Sequence, residues 1–488
     1  MSSAAVDVVV VGSGPNGLAA AVTMARAGLS VRVFEAAGSP GGGARTAELT
    51  LPGHRHDVCS AVHPMALASP FFRAFALADR VEFVTPEISY AHGLAGGRAA
   101  VAYRDLDRTV EGLGPGGEAW RRLFGPLLDA QDAVVDFAMS PLVRLPRHPL
   151  AAAAFGARVL ASARTAGAGF PGEAAGALLA GLSAHSIGRV ASLGARGAGV
   201  LLGMLGHAPG GWPIPVGGSQ AIVDALVAEL RACGGEVVTE TRVDELRALP
   251  SAHAVLLDVT PRALADIGGE LLPTGYRNAL RQFRYGDAAS KVDFVLDGPV
   301  PWSNPDLARA GTVHLGGTAG EVDAGEREVA RGRHPESPFV LVSQPSLFDP
   351  GRAPAGHHTL WAYTHVPRGS GRDMTEPVTA RIEEFAPGFR DRILASAAIP
   401  ASALQHYNAN YVDGDIASGA TGFGQLLARP MLSSSPWSTP LDGVYLCSAS
   451  TSPGPGVHGM AGWHAARRAL RDVFGITSPP SLAPGPLP

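Results

Sequence analysis

A glycine-rich turn near the start of the chain has the residue types and spacing that bind a phosphate. Residues 12–17 read Gly-Ser-Gly-Pro-Asn-Gly and follow the β-branched run Val6–Val11 at once. Gly12 permits a tight turn, Gly14 lets the backbone approach a pyrophosphate, and Gly17 lets a helix pack closely on a strand. A helix beginning here would direct free N–H groups and a positive dipole end toward the phosphate.

The elements around this turn complete a dinucleotide-binding unit. Leu18–Ala27 is predicted to be a helix that ends at Gly28, and Ser30–Phe34 is predicted to be a second buried strand. Glu35 ends that strand, where a carboxylate accepts hydrogen bonds from ribose hydroxyls and disfavours a 2′-phosphate. The alternative is a glycine turn in some other α/β protein, but strand, turn, helix, strand and acid together favour the nucleotide site.

FAD and NAD share this fingerprint, and two further glycine segments favour FAD. Residues 41–46 read Gly-Gly-Gly-Ala-Arg-Thr and offer a long cofactor a second stretch of bare backbone, with Arg45 and Thr46 as polar contacts. Residues 454–459 again match the fingerprint, after the predicted strand Val444–Cys447, yet no further strand ending in an acid follows. We therefore interpret the last segment as a loop at the far end of the same cofactor, and we do not expect tight NAD(P) binding.

Composition excludes several other classes of protein. The 488 residues are 46% apolar and carry 39 Lys and Arg against 43 Asp and Glu, a balance that gives no reason to expect a nucleic-acid partner. At roughly 150 residues per domain, two or three domains are expected. The cysteines Cys59, Cys233 and Cys447 form no CxxC pair, so we expect no metal site.

We expect a cytoplasmic protein. No basic region precedes an apolar run at the N-terminus, so a secretory signal is not expected. Arginines interrupt the apolar runs at 151–169 and 174–206, which argues against spanning helices. Attachment to a membrane surface stays open, and the sequence does not indicate an oligomeric state.

Farther along the chain, Ser219 is predicted to cap a helix over Gln220–Ala232. Glu236–Thr239, Arg242–Leu246 and Ala254–Val259 are predicted to be strands.

Several segments together resemble the phytoene-desaturase-like branch of the flavin amine-oxidase superfamily. The opening turn with Glu35 and the segment 41–46 match that group, and Trp212–Ser219 resembles its return to the FAD domain. The most specific match is Gly443–Met460, and Arg429-Pro430 and 410–415 also resemble the group. Two positions differ from the group. Ser448 stands where the group usually has a glycine, and Ser452 stands where it often has a histidine.

The resemblance implies an α/β fold with a discontinuous Rossmann-like FAD-binding domain and an inserted α+β substrate domain. The FAD-binding domain would comprise 1–75, 212–265 and 436–475, and the substrate domain 76–211 and 266–435. A flexible tail would follow over 476–488. Val243 would contact the adenine through its backbone, and Thr260 would lie near the cofactor.

Combining motif and resemblance gives the expected cofactor-binding residues. They are Gly12, Gly14, Pro15, Asn16, Gly17, Glu35, Ala36, Gly41, Gly42, Gly43, Ala44, Arg45, Thr46, Val243, Thr260, Ser448, Ala449, Ser450, Gly456, Val457, His458, Gly459 and Met460.

Three residues are candidates for catalysis beside a flavin, which itself takes hydride at N5. His458 lies inside the last glycine loop, His63 follows the region that would line the flavin, and the resemblance to amine oxidases places Lys291 near N5. Each has a purely structural alternative. We interpret His185 as a core histidine. Five aromatic residues could wall a pocket or belong to the core, namely Trp302, Trp361, Tyr363, Tyr407 and Tyr411.

The sequence therefore predicts an FAD-dependent oxidoreductase that desaturates an apolar organic substrate and passes electrons to oxygen, a quinone or another external acceptor. Amine oxidation is the first alternative and would place an aromatic pair at the flavin. Non-redox isomerisation on a flavin, or an FAD-holding binding protein, is the other alternative.

Overall fold

Two β-sheets with different connectivity organise the chain. The computed structural model describes residues 5–485, apart from the side chains of 165–168. The five-stranded sheet is parallel throughout, and the seven-stranded sheet is mixed. The α/β class predicted from the sequence is confirmed.

In chain order the described strands are β1 (Val8–Val11), β2 (Val31–Phe34), β3 (Thr46–Glu48), β4 (Arg55–Asp57), β5 (Phe83–Val84), β6 (Ile88–Leu94), β7 (Arg98–Tyr103), β8 (Ile214–Pro215), β9 (Glu236–Val238), β10 (Ala254–Leu257), β11 (Ala288–Leu296), β12 (Ala310–Leu315), β13 (Val340–Ser343), β14 (His358–Val366), β15 (Ile393–Ile399) and β16 (Val444–Leu446).

The described α-helices are α1 (Pro15–Arg26), α2 (Pro70–Ala74), α3 (Leu77–Arg80), α4 (Leu106–Gly112), α5 (Gly117–Leu128), α6 (Gln131–Ala138), α7 (Pro149–Ala168), α8 (Glu173–Ala184), α9 (Leu193–His207), α10 (Gln220–Ala232), α11 (Pro261–Gly268), α12 (Thr274–Arg281), α13 (Ala319–Ala330), α14 (Thr375–Phe385), α15 (Ala401–Tyr407), α16 (Phe423–Leu427) and α17 (Met460–Phe474).

The first sheet has the strand order β16-β10-β1-β2-β9. Its central strand Val8–Val11 is buried on both faces, as a run of four valines in a parallel sheet requires. Helices α1, α10 and α17 pack against this sheet in one hydrophobic cluster. Gly462 of α17 lies so close to α1 that a Cβ there would come within 1.8 Å of the Asn16 carbonyl oxygen. The first and last helices of the described chain are therefore in direct backbone contact.

The second sheet has the order β15-β11-β14-β13-β12-β6-β7. One face packs on α14 in an apolar cluster that includes Phe294, Leu360 and Ile382. The other face carries Leu341, Trp361 and Tyr363 in a second cluster. This second face lines the cavity described below.

The strands of the two sheets fall on opposite sides of the domain boundaries expected from the sequence. The short ladder of β5 with β8 crosses one boundary and joins the two parts. In the described part of the tail, Leu482 is buried in the core cluster beneath the first sheet, so this residue does not extend freely into solvent. Residues 1–4 and 486–488 of the expected domain and tail lie outside the described residues.

Two local predictions were wrong. Arg242–Leu246 forms no strand, because the parallel sheet ends at β9 and this segment turns toward the cavity, where Val243 lies. Ser219 does precede α10, but its hydroxyl donates to the Ser60 carbonyl oxygen instead of capping the helix.

No helix in the described part of the chain is both long and apolar enough to span a bilayer.

Candidate dinucleotide site and adjoining cavity

The first glycine turn has the geometry expected of a phosphate-binding turn. Gly12 has a positive φ of 95°, which a residue with a side chain rarely adopts. A Cβ on Gly17 would lie 2.1 Å from the Gly12 carbonyl oxygen, so only glycine lets α1 approach β1 this closely. Helix α1 begins at Pro15, and its N-terminus faces the cavity.

Glu35 holds this turn in place. Its Oε2 accepts hydrogen bonds from the Ser13 backbone N–H at 2.9 Å and from the Ser13 hydroxyl at 2.5 Å, and its Oε1 accepts from the Ala37 N–H at 2.8 Å. The residue also lines the cavity. The acid at the end of β2 therefore shapes the turn and faces the space a ribose would need.

The second glycine segment packs directly on the first. Gly42 has a φ of 52°, and a Cβ there would lie 3.0 Å from the Cα of Gly14. Arg45 donates to the carbonyl oxygens of Gly42 and Tyr407, and its guanidinium lies 4.1 Å from the centre of the Tyr407 ring. The two bare backbones thus form one wall.

A cavity of about 1470 Å³ connects the first glycine turn with the last glycine loop. The expected site residues on its wall are Gly12, Gly14, Pro15, Asn16, Glu35, Ala36, Gly42, Gly43, Arg45, His63, Val243, Thr260, Ala449, Gly456 and Val457. The other expected residues do not line this cavity: Gly17, Gly41, Ala44, Thr46, Lys291, Ser448, Ser450, His458, Gly459 and Met460.

Hydrogen bonds explain why several of these polar side chains face away from the cavity. The Thr46 hydroxyl donates to Asp57 at 2.6 Å, and Thr46 is not among the residues that line the cavity. The Ser448 hydroxyl accepts from the Ser450 N–H at 3.2 Å, and the Ser450 hydroxyl donates to the Ser418 carbonyl oxygen at 2.7 Å. These side chains build the last loop.

His458 does not reach the cavity, contrary to the expectation of a catalytic role. Its Nδ1 accepts from the Met460 N–H at 3.0 Å, so its Nε2 carries the hydrogen and donates to the Gly454 carbonyl oxygen at 3.2 Å. Burial lowers the pKa of His458 to about 4, so the ring is neutral. Gly459 packs on Phe71 behind it. His458 therefore fixes the loop that carries Gly456.

Lys291 is also displaced from its expected position at the cavity. It lies on β11 in register with Tyr363, but its Nζ forms an ion pair with Asp293 beneath the ring of Trp361. Its side chain is only 4% exposed. A lysine held by a neighbouring carboxylate two residues along the same strand face is a structural cation here.

His63 does line the cavity. The Ser219 hydroxyl donates to the Ser60 carbonyl oxygen at 2.5 Å, so Nε2 of His63 must donate to the Ser219 oxygen, which lies 2.7 Å away. Nδ1 is then unprotonated and can accept a hydrogen bond from the Ser60 hydroxyl, which lies 3.4 Å away. Burial is the main reason that the pKa of His63 falls to about 4, so the ring is neutral and can accept a proton or a hydrogen bond at Nδ1.

Far from the glycine turns the wall is mostly apolar. Thr312, Leu341, Trp361 and Tyr363 line the cavity from neighbouring strands of the second sheet. Trp361 and Tyr363 meet edge to face, with ring centres 5.2 Å apart. Tyr407 and Tyr411 also line the cavity, whereas Trp302 belongs to the opposite face of the sheet.

Asp258 is a site residue that sequence reasoning missed. Its Oδ2 accepts from the Gly17 N–H at 3.0 Å, and a Cβ on Gly14 would lie 2.8 Å from the same oxygen. Burial, reinforced by the charge of Glu35, raises the pKa of Asp258 to about 7. The available signal was its position at the carboxyl end of β10, beside β1, where parallel sheets bind ligands.

A buried ion pair, also missed from the sequence, anchors His63 indirectly. Arg352 donates to Asp57 at 2.9 Å and to Asp349 at 2.8 Å, with both Arg352 and Asp57 fully buried. Asp57 also accepts from the Ser219 N–H. Although burial opposes ionisation, Arg352 and these hydrogen bonds keep the pKa of Asp57 below its ordinary value.

Comparisons with known proteins agree with this geometry. The family model described as NAD(P)-binding Rossmann-like domain matches residues 10–80. The rat pyridine nucleotide-disulfide oxidoreductase domain-containing protein 2 is 26% identical over 318 residues, which cover 56% of this chain. The chain spans about half the length of that curated relative, 53%. An uncharacterized protein of Mycobacterium tuberculosis (strain ATCC 25618 / H37Rv) is 29% identical, with 77% of each chain covered.

Solved structures share the fold at low sequence identity. Cyclohexylamine oxidase from Brevibacterium oxydans IH-35A matches with a TM-score of 0.60 and 16% identity, covering 96% of this chain and 99% of that chain. Putrescine oxidase bound to putrescine matches with a TM-score of 0.58 and 16% identity, covering 97% and 100%. The chain therefore has a Rossmann-like dinucleotide-binding domain within a fold shared with known oxidoreductases.

The raised pKa of Asp258 predicts a specific pH dependence of stability. The folded-state pKa of about 7 exceeds the ordinary 3.8. The protonated Asp258 therefore contributes fully to the free energy of unfolding below pH 4, and this contribution is lost as pH rises toward 7. Asp258→Asn keeps an acceptor for the Gly17 N–H but does not ionise. Its thermal midpoint, followed by circular dichroism without added ligand, should rise relative to wild type between pH 4 and pH 7 and then level off. Asp107→Asn, at an exposed site, is the control. Parallel curves for Asp258→Asn and wild type would contradict the assignment.

Proposed function

We propose that the chain is an FAD-dependent oxidoreductase that dehydrogenates an apolar organic substrate, as the phytoene-desaturase-like resemblance implies. One observation carries the proposal. The cavity that begins at the dinucleotide turn continues without interruption past the last glycine loop to an apolar wall on the second sheet. A dinucleotide with a reactive ring system at its far end needs such a space.

Three features at the turn fit a bound dinucleotide. The Asn16 Oδ1 is buried on the cavity wall with no hydrogen-bond partner among the described residues. Gly14 and Gly42 pack so closely that a Cβ would lie 2.8 Å from Asp258 at Gly14 and 3.0 Å from the Gly14 Cα at Gly42, so this wall is bare backbone. Glu35 and Val243 line the part of the cavity where a ribose and a base would lie, and Arg45 adds a positive charge. FAD bound here would supply a hydride acceptor, which protein side chains lack.

The far end of the cavity fits the ring system of the same molecule. Gly456 and Val457 line it, and Gly456 has a φ of 131° that presents bare backbone. Arg429, itself buried, donates to the carbonyl oxygens of Ala449 and Gly419 and holds this loop to the neighbouring segment. His458 holds the loop from within. These contacts give a rigid floor against which a flat ring can lie.

The side chains of the cavity would exclude water and accept a proton. The apolar wall excludes water from the reacting bond, which protects a hydride in transit. His63 keeps Nδ1 unprotonated and is one of the groups on the wall that can accept a proton from the substrate. The fold shared with known oxidases and the oxidoreductase name of the rat relative support this class of reaction.

Oxidation of an amine is the second candidate, and one observation favours it. Trp361 and Tyr363 form an aromatic pair on the cavity wall, and this alternative predicts such a pair at the flavin. Two of the solved structures with this fold are oxidases named for amines. However, none of the cavity residues on the described strands of the second sheet is a carboxylate that would receive an ammonium group. We therefore rank it below desaturation.

The cofactor itself can be tested on purified protein. Folded wild-type protein should retain FAD through gel filtration and show its visible absorbance at about 450 nm. Glu35→Ala removes acceptors for both the ribose and the Ser13 N–H, so FAD affinity should fall about 10-fold or more, as for loss of a charge-assisted hydrogen bond. Glu236→Ala, at an exposed acid on the adjacent strand, should retain FAD. Folded wild-type protein that binds no FAD would rule out the proposal.

The substrate class can be tested by anaerobic mixing. A panel of polyenes and hydroxylated apolar metabolites should include a compound that bleaches the visible absorbance, because the cavity wall is apolar. Primary amines such as benzylamine should leave it unchanged. Bleaching by amines alone would replace desaturation with amine oxidation.

A further inference from the structure

Two histidines interrupt the apolar wall at the substrate end of the cavity. His185 follows the last residue of α8 and lines the cavity. His314 lies on β12 and is fully buried. Their Nε2 atoms are 2.9 Å apart. Burial lowers the pKa of His185 to about 3 and that of His314 well below its ordinary value, so both rings are neutral. One ring must therefore donate and the other accept.

The surroundings of His314 decide which ring donates. Its Nδ1 is buried and has no hydrogen-bond partner among the described residues. Gly181 packs against this nitrogen. A Cβ on Gly181 would lie 2.5 Å from Nδ1 of His314 and 2.8 Å from Nδ1 of His92. His92 donates from Nε2 to the Gly317 carbonyl oxygen, so its own Nδ1 carries no hydrogen either.

An unpaired N–H in the interior costs more than an unpaired lone pair, and buried N–H groups without acceptors are rare. The hydrogen of His314 is therefore on Nε2, and it is donated to Nε2 of His185. His185 must then carry its own hydrogen on Nδ1. Nδ1 of His185 has no hydrogen-bond partner among the described residues. It is not among the fully buried polar atoms, and His185 lines the cavity.

We propose that His185 is the specificity-determining hydrogen-bond donor of the substrate cavity, and that the ligand is an apolar molecule bearing an acceptor oxygen, as a carbonyl, ether or hydroxyl group. His314 acts as a positioning residue because it fixes the tautomer of His185. This deepens the proposed function, on which it rests only for the statement that the ligand is a substrate.

The neighbours of His185 explain why one donor suffices for selection. Trp212 meets its ring edge to face at 5.4 Å, and Ile187 and Leu341 contribute apolar surface to the same cavity. In such surroundings a ligand without an acceptor leaves the N–H desolvated and unpaired, which penalises it. A ligand with an oxygen in reach satisfies it.

Binding of two molecules of nearly equal shape tests the proposal. Acetophenone carries a carbonyl where α-methylstyrene carries a methylene group. The ratio of their dissociation constants, measured by calorimetry on the protein as purified, should favour acetophenone more strongly in wild type than in His185→Phe, by about 3- to 10-fold as for one hydrogen bond. His253→Phe, the same change at an exposed histidine, should match wild type. An unchanged ratio in His185→Phe would overturn the proposal.

Folding of the variants and the cofactor are controlled separately. His185→Gln restores a donor and should recover part of the preference, whereas a preference lost equally in both variants would indicate disturbed packing and count against the proposal. The calorimetry does not depend on flavin. Folded wild-type protein that binds no added FAD but shows the His185-dependent preference would reject the proposed function and leave this inference standing. Protein that binds FAD but lacks the preference would overturn this inference and leave the proposed function standing.

The tautomer can be read directly. In protein labelled with ¹⁵N-histidine, the resonances that disappear in His185→Phe should show a protonated Nδ1 and an unprotonated Nε2. In His314→Phe, which removes the donor to Nε2, the two nitrogens of His185 should shift toward a mixture of tautomers. An unprotonated Nδ1 in wild type would overturn the assignment.

Discussion

Backbone contacts that leave no room for side chains hold the two ends of the described chain together. Gly17 lies against the Gly12 carbonyl oxygen, Gly42 against Gly14, and Gly462 of the last helix against the Asn16 carbonyl oxygen. A methyl group at Gly17 or Gly462 would come within about 2 Å of backbone atoms, a clash that a close-packed interior cannot absorb cheaply. These contacts place the first turn and the last loop on one cavity, and the proposed function depends on that continuity.

Charge at the dinucleotide turn is arranged less simply than the motif suggests. Glu35 accepts three hydrogen bonds from the chain itself, and Asp258 takes the Gly17 N–H at the start of α1. A helix N-terminus favours an anion, but here a carboxyl group already occupies part of it. Because the pKa of Asp258 is raised to about 7, the protonated form is accessible near neutral pH. Protonation would relieve its repulsion of an incoming phosphate, which couples the site to pH.

The sequence predicted the backbone of the site better than its side chains. Glycines 12, 14 and 17 and Glu35 could be predicted because strand, turn and helix are local and their spacing is fixed by geometry. Lys291 and His458 could not, because the direction of a side chain depends on partners far along the chain. Lys291 is ion-paired with Asp293 below Trp361, and both ring nitrogens of His458 bond to backbone. His185, interpreted as a core residue, lines the cavity, with its Nε2 bonded to His314 on β12. Asp258 could not be predicted as a site residue either, because its place beside the turn follows from the pairing of β1 with β10.

A crystal structure of the protein grown with FAD would show whether one cofactor molecule spans the cavity. We expect one extended molecule, with its adenosine between Glu35 and Val243, its pyrophosphate at Gly14 and Gly42, and its ring system against Gly456 and Val457. The substrate end, bounded by Trp361 and His185, should remain beside the exposed face of the ring. Density confined to one end of the cavity, or a molecule bound elsewhere on the chain, would contradict the account.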